Sequence, residues 1–238
     1  MSESKSVNEQ IVDLKTIVYK TLVDPAVVKV AGEKLKDKLF VRFRFLKPKP
    51  NEIEFVSIDK YYKPYIIISG EYTIDYYRKC VYSINVDEKA QEVILLKHKF
   101  KPEKPKGTST KGYKVIKLEG EERLLYDDKA SIIINKLGRE VPLKQLPAAP
   151  SEENPKQILT ELGEKVEKLE IAMDGDVEII RSKLLKRPEN IDRVVHELFE
   201  VDERALIYTP IYRVLFRNVR TGDVKAIEFD GVTSKRLQ

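Results

Sequence analysis

The stretch YTPIYRVLFRNVRTGDVKAIEFDGVTSK, Tyr208–Lys235, decides how the C-terminal part of the chain reads. Branched and aromatic residues crowd Ala205 to Phe216 and again Val224 to Phe229. Between them lies NVRTGD, Asn218–Asp223, in which Gly222 is free to take a positive φ. Two apolar runs around such a turn predict a β-hairpin. Pro210 sits near a strand start, where a missing N–H is tolerated. Asp230 is placed to end the second strand with an Asx turn.

A similar phrase stands earlier: YKPYIIISGEYTIDYYRKCVYSINVDEKAQEVI, Tyr62–Ile94. Both phrases open with Tyr, any residue and Pro, and carry a second Tyr directly afterwards or one residue later. Both continue in an apolar run and close on Asp, Asp87 in the first and Asp230 in the second. Ser69-Gly70 reads as a break and Val81 to Val86 as the outgoing strand. The expectation is a duplicated helix-plus-hairpin unit. From Pro188 onward the order helix, strand, turn, strand resembles small modules of the PepSY type. No diagnostic motif accompanies that likeness, and it implies a fold without an activity.

Further out, Ile11, Leu14, Val18 and Leu22 recur at spacings of three and four, which predicts helix over residues 8–37. Asp24-Pro25 interrupts it, and a second helix is expected to begin with Pro25 in its first position. KLFVRFRFLKP follows, with Leu39, Val41, Phe43 and Phe45 alternating with Phe40, Arg42, Arg44 and Leu46, the period of a half-buried strand. Strands are also expected over Ile53–Ile58, Pro64–Ser69, Glu71–Tyr77 and Val81–Val86, with a further one within Gln91–Phe100. YKVIKL and ASIIINKLGREVPL predict small strands with a tight turn at Lys136 to Arg139.

QLPAAPSEENP reads as a linker, after which Asn154 is placed to cap a helix with Pro155 at its first position. Leu159, Leu162, Val166, Leu169 and Met173 then form a narrow apolar stripe that continues through Val177, Ile180 and Leu184. Such a seam suits a coiled coil or a helical hairpin bent at Gly175, and it makes the first five residues the candidates for self-association. PENIDRVVHELF, from Pro188, reads as another amphipathic helix, with His196 at its boundary. The resulting division is residues 1–100, a helical N-terminus with an antiparallel β unit; 101–112, a basic linker; 113–146, a small β insert; 147–155, a second linker; and 156–238, a helical segment with the C-terminal hairpin.

The 238 residues are 42% hydrophobic, enough for a core, and 35% charged, with two His and one Cys. That charge density, rich in Lys and Glu, resembles thermophilic composition. One cysteine cannot form an intramolecular disulfide, no long apolar run predicts a membrane span, and no signal peptide is legible. The chain is therefore expected to be cytoplasmic, without membrane partners. The net charge of +5 is concentrated. KHKFKPEKPKGTSTKGYK, Lys97–Lys114, carries seven Lys and one Glu, so the rest of the chain is close to neutral.

The chemistry-bearing residues are sparse. Cys80, His98 and His196 lack the paired spacing of a metal site. No GxSxG occurs, and Cys80 reads as a small half-buried strand residue. GTSTKGYK has Tyr113 where a phosphate-binding loop needs Lys, so it is not a nucleotide site. No cofactor motif is present, and no residue set combines nucleophile, base and stabiliser. An enzyme of unidentified class is therefore the least favoured reading. Lys97, Lys99, Lys101, Lys104, Lys106, Lys111 and Lys114, together with Arg42 and Arg44, are candidates for phosphate-backbone contacts with nucleic acid.

The composite expectation is an α+β fold: antiparallel sheet built from hairpins, with N-terminal and mid-chain helices. The expected function is a non-catalytic cytoplasmic binding or assembly protein, a scaffold or adaptor with a protein or a second copy of itself as partner. The alternative is a nucleic-acid-associated protein acting through the lysine-rich linker.

Overall fold

The computed structural model describes residues 7–40, 49–105 and 112–237. The fold is mixed α+β, with four short helices and a mostly antiparallel sheet of long strands among the described residues. In chain order these are β1 (Asn8–Ile11), β2 (Lys15–Val18), α1 (Pro25–Glu33), α2 (Lys36–Leu39), β3 (Ile53–Asp87), β4 (Val93–Leu95), β5 (His98–Phe100), β6 (Tyr113–Asn135), β7 (Glu140–Val141), α3 (Pro155–Leu162), α4 (Gly175–Leu184), β8 (Arg193–Asn218) and β9 (Val224–Asp230). The sheet order is β1-β8-β3-β6-β7, and β2 and β9 also pair with β8.

The chain divides into two compact units, each drawing on separate stretches. The larger is built from Gln10–Glu71, Lys129–Leu184 and Glu200–Gln238. The smaller contains Tyr72–Asp128 and Leu185–Phe199 with the N-terminal segment up to Glu9.

In the larger unit the C-terminal hairpin forms as expected, but Pro210 lies well inside β8 rather than near its start. β9 pairs antiparallel with β8 from Ile211 opposite Asp230 to Arg217 opposite Val224. Gly222 takes a φ of 74° in the turn. Asp230 makes the expected Asx turn, its Oδ1 accepting from Val232 N at 2.9 Å and Thr233 N at 2.7 Å. α1 begins at Pro25, and Asp24 caps it by accepting from Ala26 N at 2.7 Å. Val28 of α1 joins Phe40, Ile53, Tyr212, Val214, Phe216, Ile227 and Phe229 in one buried cluster. Tyr65, Ile133, Leu146, Ala205 and Ile207 form a second. Within β8 the second cluster takes Ala205 and Ile207, and the first takes Tyr212, Val214 and Phe216.

Several expectations are corrected. Asn8–Ile11 and Lys15–Val18 are strands, not helix: β2 pairs parallel with β8, Lys15 opposite Ala205 and Val18 opposite Tyr208. Tertiary pairing overrides a helical spacing that is also compatible with short strands. Leu39 closes a helix and Phe40 lies outside any strand, while the remainder of the strand expected there, with Arg42 and Arg44, lies outside the described residues.

The first phrase does not form a hairpin. Its three expected strands, and Ile53–Ile58 before them, are one strand, β3, that passes through Ser69-Gly70 without a break. Gly70 has a different use: a Cβ there would lie 2.5 Å from the Glu200 carbonyl oxygen. The glycine permits the close approach of β3 and β8 rather than a turn. The small strands expected in residues 113–135 are likewise a single strand, β6, followed by the expected tight turn with Gly138 at φ 74°. Of the helix expected from Pro188, residues 188–192 are neither helix nor strand and the rest is the first part of β8, so the PepSY-type order of elements does not hold.

The seam is not a continuous helix. α3 does begin at Pro155, but it ends at Gly163, whose φ of 52° and ψ of −120° is backbone territory for glycine. Val166 then bridges Tyr62, and Glu167 N donates to the Tyr62 carbonyl at 2.9 Å. Glu170 N donates to the Lys136 carbonyl at 2.9 Å. α4 is anchored to β8 by Arg204, whose Nε and Nη2 donate to the two carboxylate oxygens of Asp176 at 2.6 and 2.7 Å.

In the smaller unit, Tyr72, Ile74 and Tyr76 of β3 are buried and alternate with half-buried neighbours. Glu197 of β8 is buried beside them and satisfied at both oxygens. The Tyr72 hydroxyl donates to Oε1 at 2.7 Å and Arg187 Nη2 to Oε2 at 3.0 Å. No helix among the described residues is long and apolar enough to cross a membrane.

Candidate binding edge

The smaller unit presents β6 as a strand with one side occupied. β6 alternates strictly: Leu118, Gly120, Glu122, Leu124 and Tyr126 are half-buried, while Lys117, Glu119, Glu121, Arg123, Leu125 and Asp127 are exposed. The inward set packs on β3. The Tyr126 ring lies 6.2 Å from that of Tyr72, and a Cβ at Gly120 would come within 3.2 Å of the Tyr82 ring.

Cross-strand pairs pin β6 to β3. Arg123 grips Asp75 in a fork, Nε to Oδ1 at 2.9 Å and Nη2 to Oδ2 at 2.5 Å. Arg78 Nη2 and the Tyr82 hydroxyl both donate to Glu122, each at 2.9 Å. The Arg123 fork holds the Asp75 carboxyl below its ordinary range. Tyr82 and then Arg78 do the same for Glu122. Both carboxyls are half-buried at the surface beside exposed arginines, so these pairs fix register more than they add stability.

Along Lys117–Asp128 the other side of β6 is open among the described residues. Among the described residues β6 pairs with β3 and, at Ile133 and Ile134, with β7. Val115 is bridged by Glu103. Within the smaller unit, Lys117–Asp128 has no strand on its far side among the described residues. Every second N–H and C=O of that stretch points away from β3, as in any antiparallel edge.

The edge is acidic. Lys117–Asp128 holds five acids, Glu119, Glu121, Glu122, Asp127 and Asp128, against Lys117 and Arg123. Arg123 is taken by Asp75, and Glu121 is 3.9 Å from Arg193. Glu119, Asp127 and Asp128 carry no ion pair among the described residues. This composition disfavours pairing with a second copy. Parallel pairing in register would stack each Glu on itself, and antiparallel pairing about Arg123 would set Glu119 opposite Asp127.

The residues singled out in the sequence are dispersed. Lys97, at φ 67°, forms the turn between β4 and β5. Lys99 pairs with Glu92 at 3.1 Å, and Lys114 Nζ donates to the Ala90 carbonyl at 2.8 Å. Lys101 and Lys104 flank the Glu103 bridge to Val115, so the described start of the expected linker is tied down. Lys106 and Lys111 lie outside the described residues, as do Arg42 and Arg44. Leu159 and Leu162 are half-buried on α3, which lies against β2. Val166 and Leu169 are half-buried in extended chain, and Met173 is 94% exposed. The structure does not gather these five on one helical face. Cys80 is half-buried on β3, as expected, and His196 lies exposed on β8. Among the described residues no group of three or more His, Cys, Asp or Glu is placed to hold a metal ion.

None of the family models, curated proteins or solved structures compared matches the chain.

Sequence reasoning misses the open edge because residues 113–135 read as short strands of a small insert. The alternation through KLEGEERLLYDD is the signal that could find it.

Proposed function

We propose that the chain is a non-catalytic, cytoplasmic binding or assembly protein that accepts a basic, extended segment of a partner protein along the outer side of β6. The observation that carries this reading is the open acidic edge at Lys117–Asp128. Strand addition supplies affinity through main-chain hydrogen bonds, while alternate side chains supply selectivity. Glu119 and Asp127 favour Lys or Arg opposite them and work against a second copy of the same edge. The fork from Arg123 to Asp75 holds the accepting strand in place before a partner arrives.

Fluorescence anisotropy with a labelled peptide of alternating Lys and Val tests the reading. Saturable binding that is lost in the Glu119→Lys/Asp127→Lys variant supports it. Equal binding by the variant, or preference for an acidic peptide, overturns it.

A second reading, nucleic-acid association, is favoured by one observation. Lys97, Lys101 and Lys104 have no ion pair among the described residues and lie close together in sequence around β5. Such a cluster gives salt-sensitive, sequence-independent binding. Replacing these three by Gln would abolish oligonucleotide binding at low salt if that reading holds, and would leave it unchanged if it does not.

A further inference from the structure

A concave site lies in the larger unit, away from β6. It encloses about 420 Å³ and is bordered by Lys63, Lys136, Lys144, Lys235 and Arg236, with Tyr65, Leu137, Pro147 and Leu237 among its other walls. Five cations from four separate stretches of chain converge on one cleft. Lys63 comes from β3, Lys136 from the turn after β6, Lys144 from the short 3-10 turn Leu143–Gln145, and the last two from the tail after β9.

The cations differ in how they are compensated. Lys63 lies 3.4 Å from Glu228, and Lys136 lies 3.3 and 3.2 Å from Glu167 and Glu170. Lys144, Lys235 and Arg236 have no ion pair among the described residues. The acid bordering the cleft, Asp230, makes no ion pair with them. Its Oδ1 already accepts from Val232 N, Thr233 N and the Thr233 hydroxyl, and its side chain is buried. Asn135 Oδ1 is similarly occupied by the N–H groups of Leu137 and Arg139.

The tail is held in place rather than loosely attached. Asp230 N donates to the Lys235 carbonyl at 2.9 Å, and Leu237 N donates to the Glu228 carbonyl at 2.8 Å. Arg236 bridges Phe229, and Ser234 makes the turn with φ 59°. Lys235 and Arg236 are therefore carried on a fixed backbone, which lowers the ordering cost of binding. On the surface, Lys129, Lys183 and Arg213 by contrast have carboxylate partners within 3 Å. Uncompensated positive charge converging in a concavity is the feature that asks for an anion.

We propose that this cleft binds a phosphorylated small molecule, with Lys144, Lys235 and Arg236 on the phosphate and Leu137, Pro147 and Leu237 against its organic part. A volume of this order suits a small ligand rather than a nucleic-acid strand, since ligand pockets run from about 300 to 1,000 Å³. Arg supplies a planar fork and Lys point charges, the usual combination for phosphate oxygens.

Isothermal titration of the full chain with inorganic pyrophosphate, at about the physiological ionic strength of 0.15 M, tests this. Saturable one-to-one binding is expected. Charge-assisted contacts of this kind imply a loss of about tenfold or more in the Lys144→Gln/Lys235→Gln/Arg236→Gln variant. Should that variant fail to melt cooperatively, Lys144→Gln alone, which leaves the tail intact, is read in its place and still weakens binding. Lys156→Gln, on α3 and outside the cleft, leaves pyrophosphate binding unchanged. The proposal is overturned by no saturable binding, by unchanged binding in the cleft variants, or by an equal loss in Lys156→Gln. Citrate binding as tightly as pyrophosphate, or an oligonucleotide competing at equal phosphate concentration, would also overturn it.

Discussion

The Tyr72 hydroxyl donates to Glu197 Oε1 at 2.7 Å, where both side chains are buried. Arg187 holds the other carboxylate oxygen from a half-exposed position. Burial, and then the neighbouring Glu197 carboxylate, push the Tyr72 phenol up, so it stays a donor well into alkaline solution. Tyr72→Phe is expected to cost about 1–3 kcal/mol, because it leaves a buried carboxylate oxygen without its donor. Arg187→Gln should cost less. Urea denaturation of the two variants checks the order.

Arg204 and Asp176 form the corresponding buried pair of the larger unit, at 2.6 Å. Asp174 Oδ1 also accepts from Arg204 Nη2 at 2.7 Å, from an exposed position, so Arg204 keeps one carboxylate when Asp176 is removed. Asp176→Leu is therefore expected to destabilise by less than the about 3–5 kcal/mol of a fully stranded buried charge, and Asp176→Leu with Arg204→Met should recover much of that loss. Chemical denaturation of the single and double variants decides whether the pair behaves this way.

At Gly70 the backbone of β8 leaves no room for a side chain, since the Glu200 carbonyl oxygen would lie 2.5 Å from an added Cβ. Gly70→Ala must push two strands apart, and overpacking of this kind costs about 1–3 kcal/mol. A lower melting temperature with an unchanged fold by circular dichroism is the expected outcome.

Glu228 gives the larger unit an acid dependence. Burial pushes its carboxyl up, but the Arg213 fork, Lys63 and Tyr61 together outweigh this and leave it below the ordinary carboxylate range. A carboxyl depressed in the folded state stabilises fully above its unfolded value of about 4.3. That contribution is withdrawn as the pH falls through the lower folded value. The melting temperature of the native chain should therefore drop more steeply below about pH 4 than that of Glu228→Gln.

Local chemistry is legible in the sequence. Asp24-Pro25 marks the start of α1, NVRTGD marks the β8–β9 turn, and Asp230 marks its Asx turn. The strand character of residues 53–87 is also plain. What the sequence hides is mostly long-range. Gly70 reads alone as a strand break, and its use against Glu200 depends on a residue far along the chain. Ile191, Val194, Val195 and Leu198 fit a helical stripe, but β8 buries Glu197, Phe199 and Val201 instead. A buried Glu197 makes sense only with Tyr72 and Arg187 beside it. The apolar spacing from Leu159 to Leu184 persists across a helix end because Gly163 and the extended chain after it keep Val166 and Leu169 half-buried. The open edge of β6 depends on which strand lies beside it, and a sequence pattern does not carry that.

Hydrogen–deuterium exchange of the full chain with and without the Lys-Val peptide tests the central claim most directly. Strand addition predicts that amides within Lys117–Asp128 become protected on alternate residues, while those of the β4–β5 hairpin exchange as before. Unchanged exchange along β6 at saturating peptide, or protection confined to another element, would contradict the account.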